Sequence, residues 1–192
     1  TETNDGDFSP QLAGEVAALP EVQASSAVRY GRIRIDGSSK ELTAVDLTVL
    51  TDLLAVDVVD GDPAAVAEPG SIVLSQEVAD NNEVTVGDRL DVEFAATGIQ
   101  PLRVGAIYDN PFLVGHYAMD LSGWDANFDA INDNVIAIRA ADDLDVAAVR
   151  TALEPLEAEF PQLQFETSDQ FRERMEGQLD SLLVIINVFL GL

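Results

Sequence analysis

The chain has 192 residues with 47% hydrophobic content, enough to bury a core in one domain or two small ones and too apolar for a disordered acidic tail. Its 35 acidic side chains against 10 basic ones leave a net charge of −25, which repels phosphate backbones and anionic lipid head groups and excludes nucleic acid as a partner. Zero cysteines removes disulfides and thiolate metal sites.

In chain order, Ser9 followed by Pro10 predicts an N-cap and first helical position, with Leu12, Val16 and Leu19 on one face and Pro20 ending the helix. Residues 24–35 carry Val28, Tyr30, Ile33 and Ile35 in a strand pattern; a turn over 36–39 leads to a second strand over 40–45. Residues 47–54 suit a short buried helix, and 57–70, rich in Asp, Gly, Pro and Ala, are expected to form a linker. Ile72, Val73 and Leu74 predict a strand, Ser75 a cap for a helix to about residue 81, and Gly87 a tight turn. Leu90, Val92 and Phe94 alternate with polar residues, as do Leu102, Val104 and Ala106 after a turn at Thr97 and Gly98, which predicts two half-buried antiparallel strands.

A strand over 135–138 precedes a helix capped near Asp143 or Asp145, where Pro155 is expected to kink or interrupt the run. Residues 163–167 form a short predicted strand, and Thr167 and Gln170 have capping-box spacing for a final helix. There Phe171, Met175, Leu179, Leu182, Ile186 and Phe189 recur at steps of three and four, and Asn187 is the only polar side chain after Ser181. The run suits either a buried core helix or the first half of a membrane-spanning one. The increasingly apolar ending favours the second, with residues 179–192 as the start of a transmembrane helix.

The order apolar, Pro, polar, apolar, Gln, apolar occurs at both 19–24 and 160–165. This echo predicts an α+β fold with a discontinuous membrane-proximal α/β lobe, residues 1–56 with 133–178, and a smaller β-rich inserted lobe, residues 71–132.

The segment from Ser71 through Asp80, the Val86-Gly87-Asp88 turn, the step from Leu102 to Asp109 and the approach from Phe171 to Leu192 together resemble the extracytoplasmic domain of MacB-type ABC-transporter permeases, a group with FtsX-like and LolC/LolE-like members. Ala106 stands where that family's pattern runs directly from Gly to Ile. The resemblance implies no catalysis in this segment. It implies a cytoplasmic ABC ATPase whose ATP hydrolysis moves the extracytoplasmic domains through a stalk, here Phe171, Met175, Leu179, Leu182, Ile186 and Phe189. It further implies a location on the outer side of the cell membrane, a second permease copy as a candidate partner, and cargo or a partner protein outside the membrane. Cargo in such proteins includes peptides, lipoproteins and antibiotics, and other members regulate cell-wall hydrolases.

The candidate sites are sparse. Asp125, Asn127 and Asp129 copy half of a calcium loop, but Ala130 and Ile136 occupy the positions of its Gly and bidentate Glu. The acidic groups at Asp57, Asp60 and Asp62, and at Asp142, Asp143 and Asp145, are expected as turns and caps, so no metal site is assigned. His116 is the only histidine, no Gly-x-Ser-x-Gly elbow or phosphate loop accompanies it, and no catalytic or cofactor-binding residue is assigned. Phe112, Leu113, Val114, Tyr117, Met119 and Trp124 either close the core of the inserted lobe or, through Phe112, Tyr117 and Trp124, form an exposed partner contact. Three functions compete: a non-catalytic module of an ABC permease, a membrane-anchored cell-surface binding module without an ATPase, and a secreted acidic hydrolase supported by His116 alone.

Overall fold

The computed structural model describes residues 10–54, 56–112, 114–129, 133–142, 144, 146–159, 167 and 170. They fall into two compact units, residues 1–144 and 145–192.

The first unit opens with helix α1 (Pro10–Ala17), whose buried Leu12 and Val16 are one turn apart. Strand β1 (Val22–Ile35) then runs for 14 residues and folds back on β2 (Ser38–Val45), in register from Ile35↔Ser38 to Val28↔Val45. Asp36 and Gly37 turn the hairpin with φ of 51° and 74°. Two consecutive positive φ values are what a two-residue turn between right-twisted strands requires, and Asp-Gly is a sequence that tolerates them. Helix α2 (Leu50–Leu54) follows.

The expected linker over 57–70 contains structure. Strand β3 (Val58–Gly61) pairs antiparallel with the end of β6, and a single 3-10 turn (Ala64–Val66) buries Val66. Two glycines make room for it: a Cβ on Gly61 would collide with the Gly105 carbonyl across the strand pair, and a Cβ on Gly105 would collide with the Val66 side chain.

Strand β4 (Ser71–Ser75) leads into helix α3 (Gln76–Asn82), capped by the Ser75 hydroxyl accepting from the Val78 amide. Next come β5 (Arg89–Phe94) and β6 (Gly98–Tyr108), the alternating hairpin, then β7 (Tyr117–Met119), helix α4 (Leu121–Asn127) and β8 (Val135–Ala140).

Hydrogen bonds link β1, β2, β7, β4, β6 and β5 in that order, and β5 returns to β1 through Arg34↔Glu93 and Ile35↔Val92, so six strands form a closed circuit. The β2–β7 and β4–β6 pairs are parallel and the others antiparallel. Closure gives each of these strands a partner on both edges over part of its length. It also means that the boundary expected between residues 1–56 and 71–132 is not a break in the sheet, because β2 pairs with β7 and β1 with β5. β8 lies outside the circuit, against residues 22–28 of β1.

Alternation along the strands feeds two cores on opposite faces. Ile72, Leu74, Val104 and Leu42 enter one, with Phe94 and Met119. Val73, Ala106, Tyr108 and Val45 enter the other, with Leu50 and Val114. All five residues of β4 are buried, which its apolar run without alternation requires.

In the second unit, helix α5 (Val146–Glu159) runs through Pro155 without interruption. The proline has no amide hydrogen to offer the Thr151 carbonyl, yet the helix continues to Glu159. The predicted capping box is present: the Thr167 amide donates to Gln170 Oε1 at 2.9 Å and the Gln170 amide to Thr167 Oγ1 at 3.2 Å. The predicted strand over 163–167 apart from Thr167, the second copy of the helix-to-strand echo, and the apolar run that follows Gln170 lie outside the described residues.

Candidate functional site

Midway along β1 the strand changes neighbours. β8 leaves its edge at Val28 and β5 reaches that edge only at Arg34, so residues 29–33 have a strand on one side alone. Side chains fill the gap. The Tyr30 amide donates to Asn134 Oδ1 at 2.8 Å, and the Asn134 amide donates to the Val28 carbonyl at 3.0 Å, which continues the ladder past the end of β8. At Gly31 a Cβ would lie 2.7 Å from Trp124 Cη2 and 3.2 Å from Phe128 Cε1, so the missing side chain lets the aromatic pair reach the strand backbone. Trp124 stacks on Phe128 at 3.9 Å between centroids, and Phe128 meets Phe94 edge-on at 5.5 Å.

Arg29 closes the same gap. Buried to 5% exposure, it donates from Nε to Asp133 Oδ1 at 2.7 Å and from Nη1 to Asp125 Oδ1 at 2.6 Å. Burial by itself lowers the guanidinium pKa; the hydrogen bonds and charges of Asp133 and Asp125 outweigh that and hold it above its ordinary value. The two carboxylates differ sharply in setting, since the Asp133 side chain is fully buried and the Asp125 side chain 57% exposed. Asp133 Oδ2 is buried with no hydrogen-bond partner among the described residues. One cation thus ties β1 to helix α4 and to the segment entering β8.

This clasp was missed from sequence. An arginine between Val28 and Tyr30 reads as one more outward-facing strand residue, and nothing local links it to carboxylates about a hundred positions away.

The predicted site residues separate. Phe112 is 39% exposed, whereas Tyr117 at 7% and Trp124 at 4% belong to the core of the closed sheet and are not surface contacts. Burial, and then the charge of Asp36, raise the pKa of Tyr117. Val114 and Met119 are also fully buried, and Leu113 lies outside the described residues. Phe171, Met175, Leu179, Leu182, Ile186 and Phe189 lie outside them as well, and among the described residues no helix is long and apolar enough to cross a membrane.

Of the half calcium loop, Asp125 and Asn127 lie in α4 and Asp129 follows its end. Asp125 holds Arg29, and buried Asn127 donates to the Gly123 carbonyl and accepts from Thr97 Oγ1. Asp60 and Asp62 accept from the amides of Gly61 and Ala64, as turn residues do. Among the described residues no group of three His, Cys, Asp or Glu side chains could hold a metal ion. His116 Nδ1 lies 2.8 Å from Ser75 Oγ, but that hydroxyl is enclosed at 1% exposure and already caps α3. The pair joins β4 to the chain entering β7, since the Ser75 amide also donates to the His116 carbonyl.

Among the described residues, Asp125, Asn127, Ser75 and His116 thus hold elements together, in a mixed α+β domain around a closed sheet. Residues 2–156 match the MacB-like periplasmic core domain model, and the chain belongs to that family, the extracytoplasmic domain of MacB-like ABC-transporter permeases. It accordingly lies on the outer side of the membrane.

Among solved structures it is similar to the periplasmic region of MacB from Actinobacillus actinomycetemcomitans, with 14% identity, a TM-score of 0.66 and coverage of 88% of this chain and 83% of that one. It is also similar to the extracellular domain of the noncanonic ABC-type transporter YknZ from Gram-positive bacteria, with 13% identity, a TM-score of 0.58, and coverage of 81% and 86%. A domain of a Porphyromonas gingivalis permease protein follows at 13% identity and a TM-score of 0.54, covering 80% and 70%. At these identities the likenesses carry the fold. Comparison with curated protein sequences gives no match.

Proposed function

We propose that this domain is a non-catalytic extracytoplasmic module that turns ATP hydrolysis by a cytoplasmic ABC ATPase into movement acting on cargo or a partner protein outside the membrane. The observation that carries this reading is the clasp on β1. A single strand runs from β8 into the closed circuit, and at the crossing Arg29 is bonded to Asp125 of α4 and to Asp133, Tyr30 to Asn134, while Trp124 reaches the backbone at Gly31. A displacement delivered at β8 would reach the circuit through that point. In this reading residues 1–56 with 133–178 serve as the membrane-proximal lobe, and residues 71–132 as the part that meets cargo or partner. Residues 179–192 begin the membrane helix, with Phe171, Met175, Leu179, Leu182, Ile186 and Phe189 as the stalk, and a second permease copy stands beside the first.

The test is hydrogen exchange on the full-length permease with its ATPase in lipid nanodiscs. Exchange of the β1 amides is expected to change during ATP turnover relative to ADP. Identical β1 exchange in both conditions, with turnover verified, would overturn the coupling and favour a passive surface-binding module.

A further inference from the structure

The basic residues of this chain are unevenly placed. Residues 41–88 hold eleven Asp and Glu and no Lys or Arg, and residues 104–138 hold five Asp and again no Lys or Arg. These two stretches supply β3, β4, β7 and the loop after β6, whereas Arg32, Arg34, Arg89 and Arg103 lie on β1, β5 and the first part of β6. The closed sheet therefore has strands that carry basic residues, these arginines and Lys40 of β2, and a second side, β3 with the loop after β6, that carries carboxylates and no Lys or Arg.

On the second side three large apolar side chains are exposed: Val58 at 37%, Val59 at 51% and Phe112 at 39%. Val58 and Val59 sit on β3, which pairs with β6 alone. Phe112 is in the loop that leaves β6, where the Asp109 amide donates to the Asp57 carbonyl at 2.8 Å. Exposed Asp57, Asp60, Asp62 and Asp109 flank these residues. Along β6 the last basic residue is Arg103, five positions before the Tyr108 that pairs with Val58, or about 16 Å at the rise of a strand. Ile99 offers a contrast: it is 66% exposed on the arginine-bearing side, opposite Glu93, which is itself opposite Arg34.

We propose that Val58, Val59 and Phe112, with the carboxylates around them, form a docking surface for a polypeptide segment that carries both cationic and apolar side chains. Apolar side chains held in a rim of one charge sign select a partner with the opposite sign and its own apolar anchors. Anionic lipid and nucleic acid are repelled by the same rim. The register irregularity between Val58 and Asp60 twists this edge away from regular strand addition, so the contact is made by side chains. The inference rests on the preceding section only for the extracytoplasmic setting of that partner, and its test needs no ATPase, so the two can fail separately.

The probe is a fluorescent ten-residue peptide alternating lysine with valine, titrated into the 192-residue chain and followed by anisotropy at physiological salt. The triple variant Val58→Ser, Val59→Ser, Phe112→Ser keeps the net charge and changes only exposed positions; it is expected to weaken binding about tenfold, the size of losing one anchor-quality contact. Ile99→Ser is expected to leave Kd unchanged, and a peptide with serine in place of valine is expected to bind about as weakly as the triple variant binds the original. Asp57→Asn with Asp109→Asn is expected to weaken binding and flatten its salt dependence. Equal affinity for wild type and the triple variant would mean that bulk negative charge alone attracts the peptide, and would overturn the proposal, as would absence of binding or an equal loss in Ile99→Ser.

Discussion

The two halves of β1 have the same backbone chemistry and are held in different ways. Residues 22–28 pair with β8 across a register shift between Val22 and Ala24, and their side chains range from buried to exposed. From Val28 onward β2 occupies the other edge, and at Arg34 β5 completes the closure. The ladder bonds are of one kind throughout, so the difference lies in what encloses them. A strand that is part of a closed circuit can open only if several neighbours open with it, while a strand paired at the margin can open locally. The gap between the halves is where charged and aromatic side chains replace a missing strand.

Trp124→Ala should produce the largest loss, because it removes a buried ring stacked on Phe128 and leaves a cavity against Gly31; about 3–5 kcal/mol is expected from chemical denaturation. A loss below about 1 kcal/mol, no more than expected for a half-exposed residue of the first half such as Val22→Ala, would break the distinction between the halves.

The two carboxylates on Arg29 offer a sharper comparison at a smaller scale. Asp133→Ala should cost about 3 kcal/mol because it leaves a buried guanidinium without its enclosed partner. Asp125→Ala should cost less than about 1 kcal/mol, since water can take the place of an exposed carboxylate. Equal costs in urea titrations would mean that burial does not distinguish the two bonds.

At Gly31, a substitution to Ala should cost about 1–3 kcal/mol by pushing Trp124 out of place. Its indole fluorescence should shift toward that of a wetter ring. Gly14→Ala, at a position where an added Cβ meets nothing within 4 Å, should not destabilise the protein and serves as the control.

The smallest effect concerns alkaline pH. Burial raises the pKa of Tyr108 and, with the charge of Asp36, that of Tyr117. A raised pKa in the folded state means that unfolding releases protons more readily, so this contribution is complete below the ordinary tyrosine value of about 10 and is lost as pH rises above it. Urea midpoints should therefore fall between pH 9 and pH 11. Tyr108→Phe should make that fall shallower, while costing about 1 kcal/mol at neutral pH through the lost bond to the Gly115 carbonyl.

Much of the fold was readable before any contact was known, and the readable parts share a cause. Ser75 caps α3, Asp36 and Gly37 turn the first hairpin, and Thr167 with Gln170 forms its capping box, because each depends on residues within three positions. The β5–β6 hairpin followed from alternation alone. β3 was hidden in a stretch that looked like a linker, since its partner β6 lies far along the chain and its close approach there depends on the missing side chain of Gly61. Trp124 and Tyr117, which composition leaves between core and partner contact, were assigned to the core by the strands and helices that enclose them.

The sequence by itself determined β1, β2, β4, β5, β6 and β8, the cap at Ser75 and the capping box at Thr167, the acidic surface and the resemblance to one family of membrane-permease domains, because all of these are properties of neighbouring residues or of their sum. The tertiary structure alone decided that β5 returns to β1 to close the sheet, that Arg29 takes its partners from positions 125 and 133, and that Val58, Val59 and Phe112 stay exposed while Tyr117 and Trp124 are buried. Those depend on which distant segments meet, and the free energy that selects the meeting is collective burial, which no single stretch of chain encodes.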